Sequence, residues 1–311
     1  MAGDLDKKIR VGLIFGGQSS EHEVSLQSAK NIYEAVDREK FEVQLIGVTK
    51  EGIWLDYTSS EFLINKDDPN TISLAKTEES FPTDRKNLNS KMVDVFFPII
   101  HGINGEDGSL QGLLQLMNQQ YVGADVLGSA IAMDKDVAKK LLQSGGVKVV
   151  PWVCLKKGHS NHQTKITRAI SDYGFPLFVK PSAQGSSVGV SKAKNEKELK
   201  EAIDAAFQHD SKVMVEQAIE GRELECALIG NEQLRCSRVG EIVSNHEFYS
   251  YEAKYIDENG ADLKAPADID SKTEDAIQKI AVEAFHCLDC RDLARVDVFL
   301  TKDCLLYTSD A

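Results

Sequence analysis

The stretch Leu177-Phe178-Val179-Lys180-Pro181-Ser182-Ala183-Gln184-Gly185-Ser186-Ser187-Val188-Gly189-Val190 limits what this chain can be more than any other. Two short apolar runs, Leu177 to Val179 and Val188 to Val190, flank small and polar residues, so the stretch reads as a β-hairpin with a slim loop. Glycines let the backbone approach a ligand closely, and loop N–H groups can point at the oxygens of an anion. Lys180, at the end of the first strand, adds a compact point charge that reaches the same place. The same composition also builds ordinary exposed turns, so the neighbouring sequence has to decide between the two. A G-x-x-x-x-G-K-[ST] loop occurs nowhere, which excludes the Walker manner of holding nucleotide phosphates.

A chain of 311 residues has room for two or three domains. No apolar run approaches the roughly 18 residues of a membrane span, and Met1 to Lys8 is charged without the apolar core of a secretory signal. A cytoplasmic protein with no membrane partner is expected. The net charge of −13 argues against nucleic acid as a partner, which demands a basic face. It leaves small anions open, because local lysines and arginines decide those. Six cysteines are scattered at 154, 226, 236, 287, 290 and 304. They give no disulfide framework, and Cys287-Leu288-Asp289-Cys290 is a lone C-x-x-C without a second pair, so structural thiols are expected.

From the N-terminus, Arg10 to Phe15 suits a buried parallel strand. Gly16-Gly17 breaks it, and Ser20-Glu21-His22-Glu23 fits a capping box with Ser20 as N-cap and Glu23 reaching back. Helical spacing continues through Val24, Ala29, Ile32, Tyr33 and Val36, and Phe41 to Val48 returns to strand. This β-Gly-α-β order belongs to doubly wound domains, although G-x-G-x-x-G is missing. Residues 56 to 92 read as a surface excursion with short elements. Val93 to Ile100 is a second buried strand, and His101-Gly102-Ile103-Asn104-Gly105-Glu106-Asp107-Gly108 is the loop at its C-terminal end, where open α/β sheets place ligands. A helix from Ser109 to Met117 and a short strand from Tyr121 to Ala124 follow.

Asp134 opens a second domain by capping a basic helix that Ser144-Gly145-Gly146 ends. Residues 156 to 168 read as a loop or helix start. After the hairpin come a helix from about Glu196 to Phe207, a strand from Val213 to Gln217 with an acid near its end, and another strand from Glu223 to Ile229. Phe248 to Tyr255 is an aromatic-rich loop, Ala276 to Leu288 an amphipathic helix, and Leu293 to Leu300 a buried strand. The last carries Arg295 and Asp297, and buried charges need a partner or a metal.

Six of these motifs fall in the order of one family. They are Gly16-Gly17 with Ser20 to Ser25, His101-Gly102 with Gly105 to Gly108, Met133-Asp134-Lys135, Lys180-Pro181, Tyr251 to Tyr255, and Arg295-Val296-Asp297. Together they resemble the D-alanine–D-alanine ligases of the ATP-grasp superfamily. The resemblance implies an α/β fold with an N-terminal doubly wound, Rossmann-like parallel-sheet domain over 1–130. A two-part ATP-grasp fold follows, with the Gly-rich hairpin in 131–220 and a C-terminal part in 221–311. It implies ligation of two D-alanine molecules at the expense of ATP, through an acyl phosphate, in peptidoglycan precursor synthesis. Magnesium (or manganese) and a homodimer are implied as well.

By position, Lys135, Lys180 and Lys254 would meet the ATP phosphates, with Ser186 and Ser187 covering them. Glu216 would meet adenine, with the backbone of Gln217 and Ile219, and Glu223 the ribose. Glu21 would hold the ammonium of the first D-alanine and, with Ser186 and Tyr255, form a hydrogen-bonded catalytic set. His101 would lie near the substrate carboxylate, Arg295 would stabilise negative charge as in an oxyanion site, and Asp297 would bind the metal. Two structural alternatives stay open: Glu21 serving its helix N-terminus, and Arg295 with Asp297 forming an ion pair.

After Asp297 the family pattern continues to a Glu-x-Asn motif that supplies the remaining metal ligands. Here Thr301-Lys302-Asp303 makes the turn, and Cys304 to Ala311 carries no such motif. A truncated C-terminal part with impaired turnover is therefore expected, with Cys304 to Tyr307 able to pair as a short strand. A D-alanine–D-lactate-type ligase, another ATP-grasp carboxylate–amine ligase and an ATP-binding module without turnover remain as alternatives.

Overall fold

Alternate residues of the first strand, β1 (Ile9–Gly16), serve opposite faces of a sheet, as the period of a strand requires. Leu13 and Phe15 pack with Leu26 and Ala29 of the helix His22–Ala35, whereas Ile14 packs with Leu110 and Leu114 of the helix Ser109–Leu116. Both faces are thus covered by helices, and the strand reads as continuously apolar for that reason. The computed structural model describes residues 7–77, 79–82, 93–245 and 260–308. The chain divides into two compact units, Met1–Val126 and Leu127–Ala311.

In the N-terminal unit, β1 lies between β2 (Phe41–Val48) and, after β3 (Trp54–Tyr57), β4 (Leu63–Ile64) and β5 (Ser73–Leu74), the strand β6 (Val95–Pro98). The sheet order is β3-β2-β1-β6, with β1 parallel to both neighbours and β3 an antiparallel edge. This is the doubly wound arrangement that the β-Gly-α-β order implies. Three local expectations are corrected. The capping box does not form: Glu21 is the N-cap without a side-chain cap bond, and Glu23 instead pairs with Lys50 at 2.6 Å. The excursion after residue 56 is not only surface, because Phe62, Ile72 and Phe81 are each 3% exposed and join the core. Tyr121 makes a single parallel bridge to Phe96 rather than starting a strand.

The C-terminal unit has two sheets. The first is antiparallel, β7-β10-β8-β9, built from β7 (Trp152–Lys156), β8 (Leu177–Pro181), β9 (Ser191–Ala193) and β10 (Lys212–Gln217). Its core takes Ala169 from the helix His162–Tyr173 and Leu199, Ala202, Ile203 and Ala206 from the helix Glu196–Ala206. Asn195 caps the latter by accepting the Glu198 N–H at 3.0 Å.

The second sheet runs β14-β13-β11-β15-β16, with β12 on the side of β11. Its strands are β11 (Gly221–Gly230), β12 (Arg235–Cys236), β13 (Gly240–Ser244), β14 (Ala261–Lys264), β15 (Asp292–Thr301) and β16 (Leu306–Thr308). Leu224, Cys226, Leu228, Val296 and Val298 pack on Ile277, Ala281 and Phe285 of the helix Ser271–Cys287. Ala138 and Leu142 of the helix Lys135–Ser144 enter this same core. β16 pairs with residues 298–300 of β15, and the Thr308 N–H donates to the Lys148 carbonyl at 3.0 Å. Among the described residues, no helix is long and apolar enough to cross a membrane.

Candidate active site

In the N-terminal unit, the loops after β1 and β6 meet at the C-terminal ends of parallel strands, where ligands of such sheets gather. Ser25 stitches them together. Its hydroxyl accepts the Gly16 N–H at 2.8 Å and donates to the Ile99 carbonyl at 2.6 Å, with no part of the residue exposed. Ser19 donates to the His101 carbonyl at 2.6 Å and accepts the Glu21 N–H at 3.2 Å. Glu21, 6% exposed, lays its carboxylate against the α-carbon of Gly102. Gly102 has φ +73°, and a Cβ there would overlap that carboxylate, so the close approach requires glycine. His101 Nε2 lies 2.9 Å from the Ser28 hydroxyl. Glu21 and His101 therefore share one corner of the unit.

The acids of the loop serve its backbone. Glu106 accepts the Gly102 N–H at 2.7 Å, and Asp107 accepts from Asn104 and Ser109, each at 2.9 Å. Buried His22 donates from Nδ1 to the Gly17 carbonyl at 2.7 Å, a structural role.

In the C-terminal unit, the second hairpin strand begins at Ser191 and not at Val188. Ser186 (φ +50°), Ser187 (φ +61°) and Gly189 (φ +70°) are left-handed and turn residues 182–190 back on themselves. The Val188 N–H donates to Gly185 and the Val190 N–H to Ser187, which removes both from the ladder. The base of this loop is held by charge. Ser182 donates to Asp134 at 2.8 Å, the Ala183 N–H donates to Asp210 at 2.8 Å, and Lys212 contacts both Asp134 oxygens at 2.7 and 2.6 Å. Lys135 donates to the Gln184 carbonyl at 2.6 Å.

Burial would raise the carboxyl of Asp136, but hydrogen bonds from Lys140 and the Trp152 indole prevail and hold it down at about 2. Burial likewise opposes ionisation of Asp134, yet Lys212 and Ser182 keep its carboxyl below the usual range. These acids are anions at neutral pH and fix the lysines around the loop.

Lys180, in β8, lies 2.6 Å from Glu216 Oε2, and Lys139 takes Glu216 Oε1. Glu216 is 3% exposed and stands in β10 between Trp152 of β7 and Phe178 of β8. Gln217 ends that strand, its N–H donating to the Pro151 carbonyl at 3.0 Å, and Ile219 follows before β11. Glu223 lies opposite Phe299 in the second sheet.

On that sheet, Arg295 donates a bidentate pair to Asp297 at 2.7 and 2.8 Å, and its Nε lies 3.4 Å from Glu225. Asp297 and Glu225 face each other across β15 and β11. Their hard oxygens suit magnesium in ligand type, but Asp297 is engaged by a guanidinium. Among the described residues no group of three or more His, Cys, Asp or Glu is arranged to hold a metal. The donors on this face do not by themselves make a metal centre.

Lys254 and Tyr255 lie outside the described residues. Reading the sequence also missed Lys139, Lys212 and Glu225. Lys139 had a signal: it stands four residues after Lys135, on the helix face that buries Asp136 and Leu142. Glu225 had none without the register of β11 on β15.

Comparison with known proteins gives one answer. Residues 10–124 match the family described as D-ala D-ala ligase N-terminus, and residues 141–310 the family described as D-ala D-ala ligase C-terminus. D-alanine–D-alanine ligase A of Chromobacterium violaceum is 53% identical over 307 residues, covering 95% of this chain and 84% of its own length. That of Escherichia coli K12 is 48% identical over 308 residues, covering 96% and 84%. Among solved structures, the VanG D-Ala:D-Ser ligase from Enterococcus faecalis superimposes with a TM-score of 0.82 at 35% identity, covering 98% of this chain and 90% of that one. The D-alanine–D-alanine ligase from Coxiella burnetii gives 0.79 at 33%, covering 97% and 84%. The chain belongs to the D-alanine–D-alanine ligase family of ATP-grasp enzymes.

Proposed function

We propose that the protein joins two D-alanine molecules at the expense of ATP, in the cytoplasm and as a homodimer, for peptidoglycan precursor synthesis. The carboxylate of the first D-alanine attacks the γ-phosphorus of ATP, ADP leaves, and an acyl phosphate forms. The amine of the second D-alanine attacks the acyl carbon, phosphate leaves, and the amine proton passes to solvent or base. Phosphoryl transfer is chiefly positioning and neutralisation of charge, and the residues described divide that work.

Lys135 and Lys180 bind ATP phosphates beside the loop carrying Ser186 and Ser187, with Lys254 as a further phosphate ligand. Glu216, with the backbone of Gln217 and Ile219, holds the adenine, and Glu223 the ribose. Glu21 anchors the first D-alanine ammonium, with His101 close to its carboxylate. Ser186 and Tyr255 complete the catalytic set, and Arg295 stabilises developing negative charge. Asp297 would supply one oxygen to a divalent cation, magnesium or manganese. The observation that carries the reading is the clasp of Lys180 and Lys139 on buried Glu216, with Lys180 on the strand that runs into the Gly-rich loop.

Release of inorganic phosphate, followed with ATP and magnesium, tests the proposal. Release that depends on D-alanine supports it, and release indifferent to D-alanine refutes it. Because one well-superimposing structure is a D-Ala:D-Ser ligase, D-serine and D-lactate are offered beside D-alanine to fix the acceptor.

A further inference from the structure

Lys139 is assigned no ligand above, yet it is 3% exposed, the one lysine among the described residues that is buried. Lysine is almost never buried fully unless it is paired. Its helix, Lys135–Ser144, directs it to the carboxylate that Lys180 also holds, so that each oxygen of Glu216 has its own ammonium. The Lys139 ammonium also stands 5.4 Å from the centre of the Trp152 ring, in cation–π range. Trp152 is itself fixed by donating to Asp136 at 3.0 Å. Lys139 is therefore set from two sides, whereas Lys180 sits on the strand that runs into the Gly-rich loop.

A buried carboxylate held by Lys180 alone would oppose any phosphate that drew that ammonium away. The nucleotide would then bind against the cost of a poorly compensated charge. A second ammonium removes the conflict. We propose that Lys139 is a positioning residue for nucleotide recognition. It keeps Glu216 anchored while Lys180 is shared with a phosphate, so that the carboxylate continues to accept from an exocyclic amine of the base. This rests on reading Glu216 as the contact to the adenine amine.

Equilibrium binding by calorimetry, with ATP and with inosine triphosphate, tests the proposal without needing turnover. Inosine triphosphate carries a carbonyl where adenine carries the amine. The wild-type chain is expected to prefer ATP. Lys139→Met is expected to bind ATP about 10-fold more weakly, the scale of one lost charge-assisted hydrogen bond. Its preference over inosine triphosphate should fall to within about twofold. Lys139→Arg should restore both, and thermal midpoints are recorded for each variant. Should Lys139→Met not fold, Lys139→Gln, which keeps a donor, carries the same comparison.

A folded variant with unchanged ATP binding and unchanged preference overturns the inference. So does equal weakening of both nucleotides with the preference intact, since Glu216 would then still be in place. If the wild-type chain binds no nucleotide, the ligase reading fails and takes the inference with it. If it binds both nucleotides equally, the base contact at Glu216 fails while the phosphate ligands stand.

Discussion

Replacing Ser25 by alanine isolates the stitch between the two strand ends of the N-terminal unit. The hydroxyl accepts from Gly16 at 2.8 Å and donates to Ile99 at 2.6 Å, with no exposure to solvent. Removing one oxygen leaves hardly any cavity, so the cost is that of two polar backbone groups left without a partner. Each such group costs about 1–3 kcal/mol. Relaxation recovers part of this, and a loss of about 2–4 kcal/mol is expected. With a urea slope of about 1–3 kcal/mol/M, the unfolding midpoint of this unit should fall by roughly 0.7–4 M.

A chain of two units need not unfold in one step, so the probe must report on one of them. The two tryptophans are divided between the units, Trp54 in the first and Trp152 in the second. In a Trp152→Phe background, fluorescence follows Trp54 alone. Ser25→Ala is compared there with the parent in urea. A loss below about 0.5 kcal/mol, typical of an ordinary surface change, would refute the argument that this hydroxyl closes two buried backbone valences.

Other perturbations follow from the same geometry. Gly102→Ala should sharply weaken D-alanine-dependent phosphate release, because the methyl would displace the Glu21 carboxylate; unchanged D-alanine saturation would count against the corner formed by Glu21 and Gly102. The Asp136 carboxyl is lowered from 3.8 to about 2. Its contribution to stability is present above pH 4 and is lost as the pH falls from there through 2, so Asp136→Asn should flatten that part of the acid limb of Trp152-detected unfolding. Burial pushes the Cys154 and Cys226 thiols up to about 11, whereas Cys304 is exposed. Iodoacetamide at pH 8 should therefore modify Cys304 well before the other two, as read by peptide mass mapping.

The parallel core was legible because strands buried on both faces announce themselves. Leu13, Ile14 and Phe15 form one apolar run, and helical periodicity takes over after Gly16-Gly17. Asp134 showed itself as a cap because its side chain precedes a helical pattern, and it accepts from Val137 at 3.3 Å. Local signals failed where a distant partner competed. Ser20 and Glu23 have the spacing of a capping box, but Lys50 claims Glu23. Val188 and Val190 have strand propensity, but the left-handed serines before them carry the chain into turns.

The motif residues stand in the sequence, whereas the side chains they touch cannot be read from it. That Lys139 shares Glu216 with Lys180 depends on a helix packed against two strands. That Arg295 grips Asp297 beside Glu225 depends on register across a sheet. Sequence gives the chemistry of a side chain, and only the fold gives its neighbour.

Two adjacent serines in the left-handed region have an evolutionary consequence. A non-glycine residue there costs roughly 1–2 kcal/mol, so Ser186 and Ser187 together burden the loop with a few kcal/mol that glycine would relieve. Selection of variants for heat resistance alone should drive both positions toward glycine, and such variants should melt at higher temperature. Selection for phosphate release from ATP should return them to residues bearing a hydroxyl. The loop thus marks a place where laboratory evolution toward robustness and toward catalysis must part, and the direction a lineage takes there reveals which of the two was being rewarded.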